Sequence, residues 1–246
     1  MDINITYIDH SGFLVEWDTC YWLFDYYKGV IPPINKQKPM VVFVSHNHGD
    51  HFNPKVFDLF KNNPNTYYLI SSDIKLNQRA TDKYGITEEL SRNIIVIKPD
   101  QESSYSWDGN EMRVNTLKST DMGVAFLIRY MDKIIYYAGD LNLWVWKGES
   151  KQFNNNMKAK FLKEMSKLEN INIDIAFAPL DPRLEDWFDL GMDALLDTTK
   201  VRYVFPMHFW DKPEIIVKYK KEKEAKYLST YIMDIKEPNQ SFNLDI

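Results

Sequence analysis

One cysteine, Cys20, is the only thiol in the 246-residue chain, so no intramolecular disulfide holds it and the fold must rest on buried apolar surface. No apolar run approaches the roughly 18 residues of a membrane span, which leaves only a peripheral membrane role open. The N-terminus lacks a basic segment followed by an apolar one, so a cytoplasmic protein is the expectation. Positive charge is in deficit: 30 Lys and Arg against 35 Asp and Glu leave a net charge of -5. That argues against nonspecific nucleic-acid binding, which needs a concentrated positive field, while still allowing a small anionic substrate. Neither an internal repeat nor a low-complexity linker is visible. What is present is 44% hydrophobic and 15% aromatic residues, enough for one sizeable core, and a single domain over residues 1–246 is expected.

Histidine is also scarce, which makes its placement informative. Three of the five fall within six residues, in Ser45-His46-Asn47-His48-Gly49-Asp50-His51, directly after the apolar run 40–44. A buried strand thus delivers three imidazoles and a carboxylate onto one loop. Imidazole nitrogen and carboxylate oxygen suit zinc, manganese, iron and related cations. His46 and His48 point the same way from extended backbone, Gly49 permits a sharp bend, and Asp50 and His51 then turn toward a second point, so two neighbouring metals fit better than one.

With H-x-H-x-D-H after a core strand, the chain resembles the metallo-β-lactamase-fold hydrolases. Ile134-Ile135-Tyr136-Tyr137-Ala138-Gly139-Asp140 looks like the family segment that carries an Asp bridging two metals, and Val204-Phe205-Pro206-Met207-His208 looks like the one that ends on the last His ligand. Ile8-Asp9-His10-Ser11-Gly12-Phe13 is similar to the opening of the ascorbate-6-phosphate lactonase-like branch. The resemblance implies an α+β, four-layer αββα sandwich with one or two divalent ions held by His46, His48, Asp50, His51, Asp140 and His208. The pattern departs at one place: where the family carries a further His for the first metal, this chain reads Lys118-Ser119-Thr120-Asp121-Met122-Gly123. Asp121 is the best substitute by chemistry and would favour harder metals such as manganese or iron, with Ser119 and Thr120 weaker. The other outcome is a vacant or weakly filled first site.

Along the chain, alternation over 3–7, 12–17 and 20–26 predicts an antiparallel start. Asp25, at the end of the third strand, either supports the metal loop by bonding a ligand His or faces water. His10 lies near the site by the branch resemblance or is a satisfied structural residue. Asn53 and Pro54 predict a capped helix start, followed by a strand over 66–70, a helix over 74–84 and a strand over 94–97. Asp108-Gly109 predicts a tight turn between strands 103–107 and 112–117, and 124–130 with 133–137 make the next hairpin. Trp144 and Trp146 either wall a pocket or pack in the core. Phe153, Met157, Phe161, Met165 and Leu168 recur at spacings of three and four, predicting an amphipathic helix over a sheet. The strand 173–178 runs into Pro179-Leu180-Asp181-Pro182-Arg183, which looks like a loop of the same branch. Arg183 is either an anion anchor or the partner of Glu185 or Asp186. A helix over 192–199, the strand 202–205, a charged helix from Pro213 and an edge strand over 241–246 complete the pattern.

The implied chemistry is hydrolysis of a small-molecule lactone, ester or phosphoester by a metal-activated water that Asp50 orients, with His10, Arg183 and Trp144 near the substrate. A homo-oligomer is left open. A flavodiiron-type oxygen reductase would carry Glu where His48 stands, and RNA-processing branches bring substrate-binding modules absent from this acidic chain. The alternative from another class is a catalytically weak metal-binding or ligand-sensing protein, because of the missing His.

Overall fold

The computed structural model describes residues 1–107 and 109–246, so Asp108, half of the expected turn, lies outside the described residues. The chain divides into two compact units, residues 1–98 with 237–246 and residues 99–236.

The first unit opens with β1 (Asp2–Asp9), β2 (Gly12–Glu16) and β3 (Tyr21–Phe24), antiparallel as the alternation predicts. β4 (Met40–Val44), β5 (Thr66–Ser71) and β6 (Ile94–Ile97) then add in parallel, each after a crossover. The strand Ser241–Asp245 closes the other edge antiparallel to β1. Asn53 caps the short helical stretch from Pro54, its side chain accepting from the Lys55 amide. The helix expected over 74–84 is shorter, Gln78–Tyr84, because the Asn77 side chain accepts the Ala80 amide and so sets the start four residues later. The core joins Leu23, Val42, Val44, Tyr68 and Ile70 to Phe52, Val56 and Phe57 of the loop and helix after β4. The loop that carries the histidines is therefore anchored by apolar packing at both ends. Cys20 is fully buried at the start of β3.

The second unit begins with a meander of β7 (Glu102–Trp107), β8 (Asn110–Lys118), β9 (Val124–Tyr130) and β10 (Lys133–Tyr137). β11 (Ile173–Pro179), β12 (Val201–Met207) and β13 (Tyr231–Ile232) follow in parallel. The helix Lys151–Met165 buries Phe161 and Met165 as its spacing predicts, but Phe153, in its first turn, is left exposed.

Each unit holds a seven-stranded mixed sheet in which three antiparallel pairings are followed by three parallel ones. Each sheet also carries aromatic rings in cross-strand register. Phe13, Phe24 and Phe43 pair across β2, β3 and β4, and Phe126, Tyr137, Phe177 and Phe205 across β9 to β12. The parallel strands of both sheets end at the loops that hold the candidate ligands, so strand pairing fixes where those side chains start.

Candidate metal centre

In the first unit the wholly buried β4 ends at Ser45. Asp25, at the exit of β3, is fully buried, and its carboxylate accepts the Ser45 amide at 2.7 Å, the Ser45 hydroxyl, and His51 Nδ1 at 2.8 Å. Of the two sequence readings, Asp25 takes the supporting role rather than facing water. For neutral imidazoles, the form that ligates a metal, these bonds set the tautomers. His51 donates through Nδ1 and so carries its lone pair on Nε2. The Ser45 hydroxyl gives its proton to Asp25, so it accepts from His46 Nδ1 at 2.9 Å, and His46 likewise keeps its lone pair on Nε2. His46 Nε2 lies 3.0 Å from His48 Nδ1, with the two rings edge-on. Anchoring Nδ1 on a carboxylate or hydroxyl while Nε2 carries the lone pair is how ligating histidines are held.

The loop bends differently from expectation. Gly49 has no left-handed backbone and open space where a Cβ would stand. The bend comes from the His48 carbonyl, which accepts both the His51 and Phe52 amides. Asp73, after β5, accepts the Asn47 amide at 2.8 Å and so pins the backbone between His46 and His48. Asp50 reaches His10, whose Nε2 is 3.4 Å away. Burial opposes the Asp50 carboxylate, yet the His10 hydrogen bond holds its pKa well below the usual carboxylate range. His10 is buried and positions Asp50, while its own amide donates to the Tyr7 hydroxyl.

In the second unit, Gly139 takes a left-handed φ of 50° and turns the chain out of β10 into Asp140. The turn is braced on three sides. Trp144 Nε1 donates to the Asp140 carbonyl at 2.8 Å, the Thr120 hydroxyl donates to the Asn142 carbonyl and accepts its amide, and the Asn142 side chain sits against Gly191. A Cβ on Gly191 would overlap Asn142 Oδ1, so any larger residue there must displace that buried side chain. His208, at the exit of β12, donates through Nδ1 to the buried Asp181 at 2.9 Å. Its Nε2 is then 3.3 Å from an Asp140 carboxylate oxygen. Two lone-pair atoms at that separation need a proton or cation to reconcile them, and a divalent ion suits both. Burial would raise the pKa of Asp181, but hydrogen bonds from His208 and Arg183 bring it down to about 2.

Ion pairing around Arg183 differs from the pairing with Glu185 or Asp186 that the sequence offers. Glu185 and Asp186 pair with Lys147, and the Arg183 guanidinium is bound by Asp181 through Nε and Nη2. Trp144 is buried, edge-on to His208 at 5.4 Å. Asp121 is exposed, with its amide donating to Ser119 Oγ, and among the described residues no close group of ligand atoms includes it. Asp181 and Asp73 support the candidate site without being marked by any motif in the sequence. Both follow the ends of parallel strands, as the candidate ligands do, and that position is the available signal.

Left-handed backbone concentrates here. His10, Asp25, His208 and Trp210 all have φ between 36° and 61°. Such conformations cost non-glycine residues about 1–3 kcal/mol each and persist where the surroundings over-determine them.

A β-lactamase superfamily domain model matches residues 4–155. No curated protein matches the chain. Among solved structures, Igni18, described as a metallo hydrolase from the archaeon Ignicoccus hospitalis, aligns with a TM-score of 0.63 at 16% identity over 100% of both chains. A protein from Parabacteroides distasonis, described by assignment only as a metal-dependent hydrolase, aligns at 0.60 and 17% identity, covering 95% of this chain and 94% of its own. CmlA from Streptomyces venezuelae, described as a diiron β-hydroxylase, aligns at 0.63 and 11% identity over 99% of this chain, which spans 54% of CmlA. At these identities the likeness is one of fold.

Proposed function

The chain belongs to the β-lactamase superfamily, whose domain model covers more than half of it, and from that membership we propose that it is a metal-dependent hydrolase of a small-molecule ester, lactone or phosphoester. It has the metallo-β-lactamase fold, and residues 1–246 are read as one such domain because the matched segment runs from the first unit into the second. Among the described residues no helix is long and apolar enough to cross a membrane.

The observation that carries the reading is the repeated grip on histidine. A buried carboxylate, Asp25 or Asp181, holds Nδ1 of His51 or His208 and commits Nε2 to ligation. The donor set therefore fits a divalent cation, with His46, His48, Asp50, His51, Asp140 and His208 as the proposed ligands following the family pattern. Zinc, manganese and iron all suit such donors. A cation held there would supply the positive charge that acidifies water and polarises an acyl or phosphoryl oxygen. The chain's own residues do the rest. Asp50, kept ionised beside His10, accepts a hydrogen bond from water and orients it, Asp25 and Asp181 fix the imidazoles, and Trp144 closes the Asp140 turn. The lactonase-like branch is supported by the opening Ile8–Phe13 stretch of the sequence and by His10 contacting Asp50.

Elemental analysis of protein purified without chelator, with manganese, iron and zinc all counted, tests this directly alongside His48→Ala and His208→Ala. Two ions per chain, reduced in both variants, with turnover of p-nitrophenyl acetate or bis-p-nitrophenyl phosphate that depends on added metal, are the expected result. One ion, lost in His208→Ala and kept in His48→Ala, reduces the proposal to a mononuclear site. Bound metal without turnover of any ester favours the sensing alternative.

A further inference from the structure

Arg183 stands in a stack of planar groups beside His208. Its guanidinium lies over the Trp210 ring at 4.8 Å and faces Trp146 at 6.0 Å. Trp146 in turn lies parallel to Trp144, with an interplanar angle of 8°. Trp144 and Trp210 both present an edge to the His208 imidazole, at 5.4 and 5.8 Å. Two features separate this wall from ordinary core packing. Trp210 is 38% exposed, although a large indole is normally covered, and it is presented from left-handed backbone two residues after His208, itself left-handed. The Arg183 side chain is 47% exposed, yet Nε and Nη2 are bound to Asp181, so its charge is already matched by a buried carboxylate. A guanidinium so balanced is a poor anchor for a second anion but remains a flat, weakly hydrated surface for stacking.

We infer that Trp146, Arg183 and Trp210 form a subsite for an uncharged, planar apolar part of the substrate, such as an aryl or heteroaryl group, and not for a phosphate or carboxylate. The inference rests on the reading of His208 as a metal ligand only for its link to catalysis; the stack stands on its own geometry. It narrows the substrate to a neutral acyl compound whose ring lies on the wall while the scissile carbonyl reaches the ligands.

Benzamide and benzoate separate the two ligand chemistries because they share a ring and nearly a shape while differing in charge. Their binding to the metal-loaded protein is read by calorimetry and by quenching of indole fluorescence, in wild type, Trp210→Ala, Trp210→Phe and Arg183→Gln. Benzamide is expected to bind more tightly than benzoate, Trp210→Ala to weaken it about fivefold, the size of one lost ring stack, and Trp210→Phe to restore most of that loss. Benzoate binding more tightly than benzamide, and weakening in Arg183→Gln, would overturn the inference in favour of an anion anchor. Benzamide affinity unchanged in Trp210→Ala, or no benzamide binding by a protein that carries its metal, overturns it too. A chain that holds no metal but binds benzamide through Trp210 would instead sink the hydrolase reading and keep the subsite.

Discussion

The two units carry the same sheet plan and the same aromatic register, yet they place their chemistry one strand apart. Phe24 of β3 and Tyr137 of β10 occupy matching strands, as do Phe43 of β4 and Phe177 of β11. The loop after the first of these strands gives Asp25 in one unit and Asp140 in the other. Asp25 supports a histidine through Nδ1, whereas Asp140 approaches Nε2 of one. After the next strand the first unit places its cluster of imidazoles and the second places Asp181, a support. After the third, the first unit has Asp73, bound to a backbone amide, and the second has His208. A shared scaffold thus fixes three strand ends per unit, and sequence alone decides which end carries a candidate ligand and which a carboxylate brace.

The largest effect that would sharpen this comparison comes from removing the two braces. Asp25→Ala strips an acceptor from two donors of Ser45 and from His51, all buried, and is expected to lower metal affinity about 10–100-fold and stability by roughly 3 kcal/mol. Asp181→Ala is expected to match it in metal affinity but to cost only about 1–2 kcal/mol, because the half-exposed Arg183 can be hydrated when its partner is lost. Metal titration and urea unfolding of both variants check this, and equal stability losses would break the distinction. Next comes the Asp140 turn, which has no counterpart brace in the first unit. Gly191→Ala must displace the buried Asn142 side chain and is expected to cost about 1–3 kcal/mol, with activity falling more than in a control substitution on the exposed face of the same helix. The smallest effect is at Asp73. Asp73→Ala removes one amide acceptor from the His46–His48 backbone and should cost about 1 kcal/mol with a few-fold loss of metal, while Asp73→Asn keeps an acceptor oxygen and stays near wild type. Identical behaviour of the two Asp73 variants in metal titration would remove its positioning role.

Much of the fold was legible because strand alternation and turn residues are local signals. The antiparallel opening, the run over 40–44 and the meander from 103 to 137 all follow from them. The internal repeat was not legible, since it is written in cross-strand partners such as Tyr137 with Phe177, 40 residues apart, and not in any sequence similarity. At the site, the scarce histidines announced themselves by type and spacing. The braces were legible only in part: Asp25 at a strand end reads equally as a support or as a water-facing residue, and Asp181 reads as a solvated turn until a specific Nδ1 is found beside it. Arg183 pairs with Asp181 and not with Glu185 or Asp186, which are as near in sequence, because only the turn geometry aims the guanidinium backward. Gly49 illustrates the opposite error, a glycine whose conformational freedom the loop does not use.

The lone thiol has a practical meaning. Cys20 is fully covered at the head of β3, the strand that leads to Asp25, and the chain has no second cysteine to confuse the signal. A thiol-reactive dye can reach it only when that sheet opens, so the labelling rate is a clock for excursions of the first unit. Run with and without metal, that clock reports how far an ion quiets the breathing of the strands that cradle it.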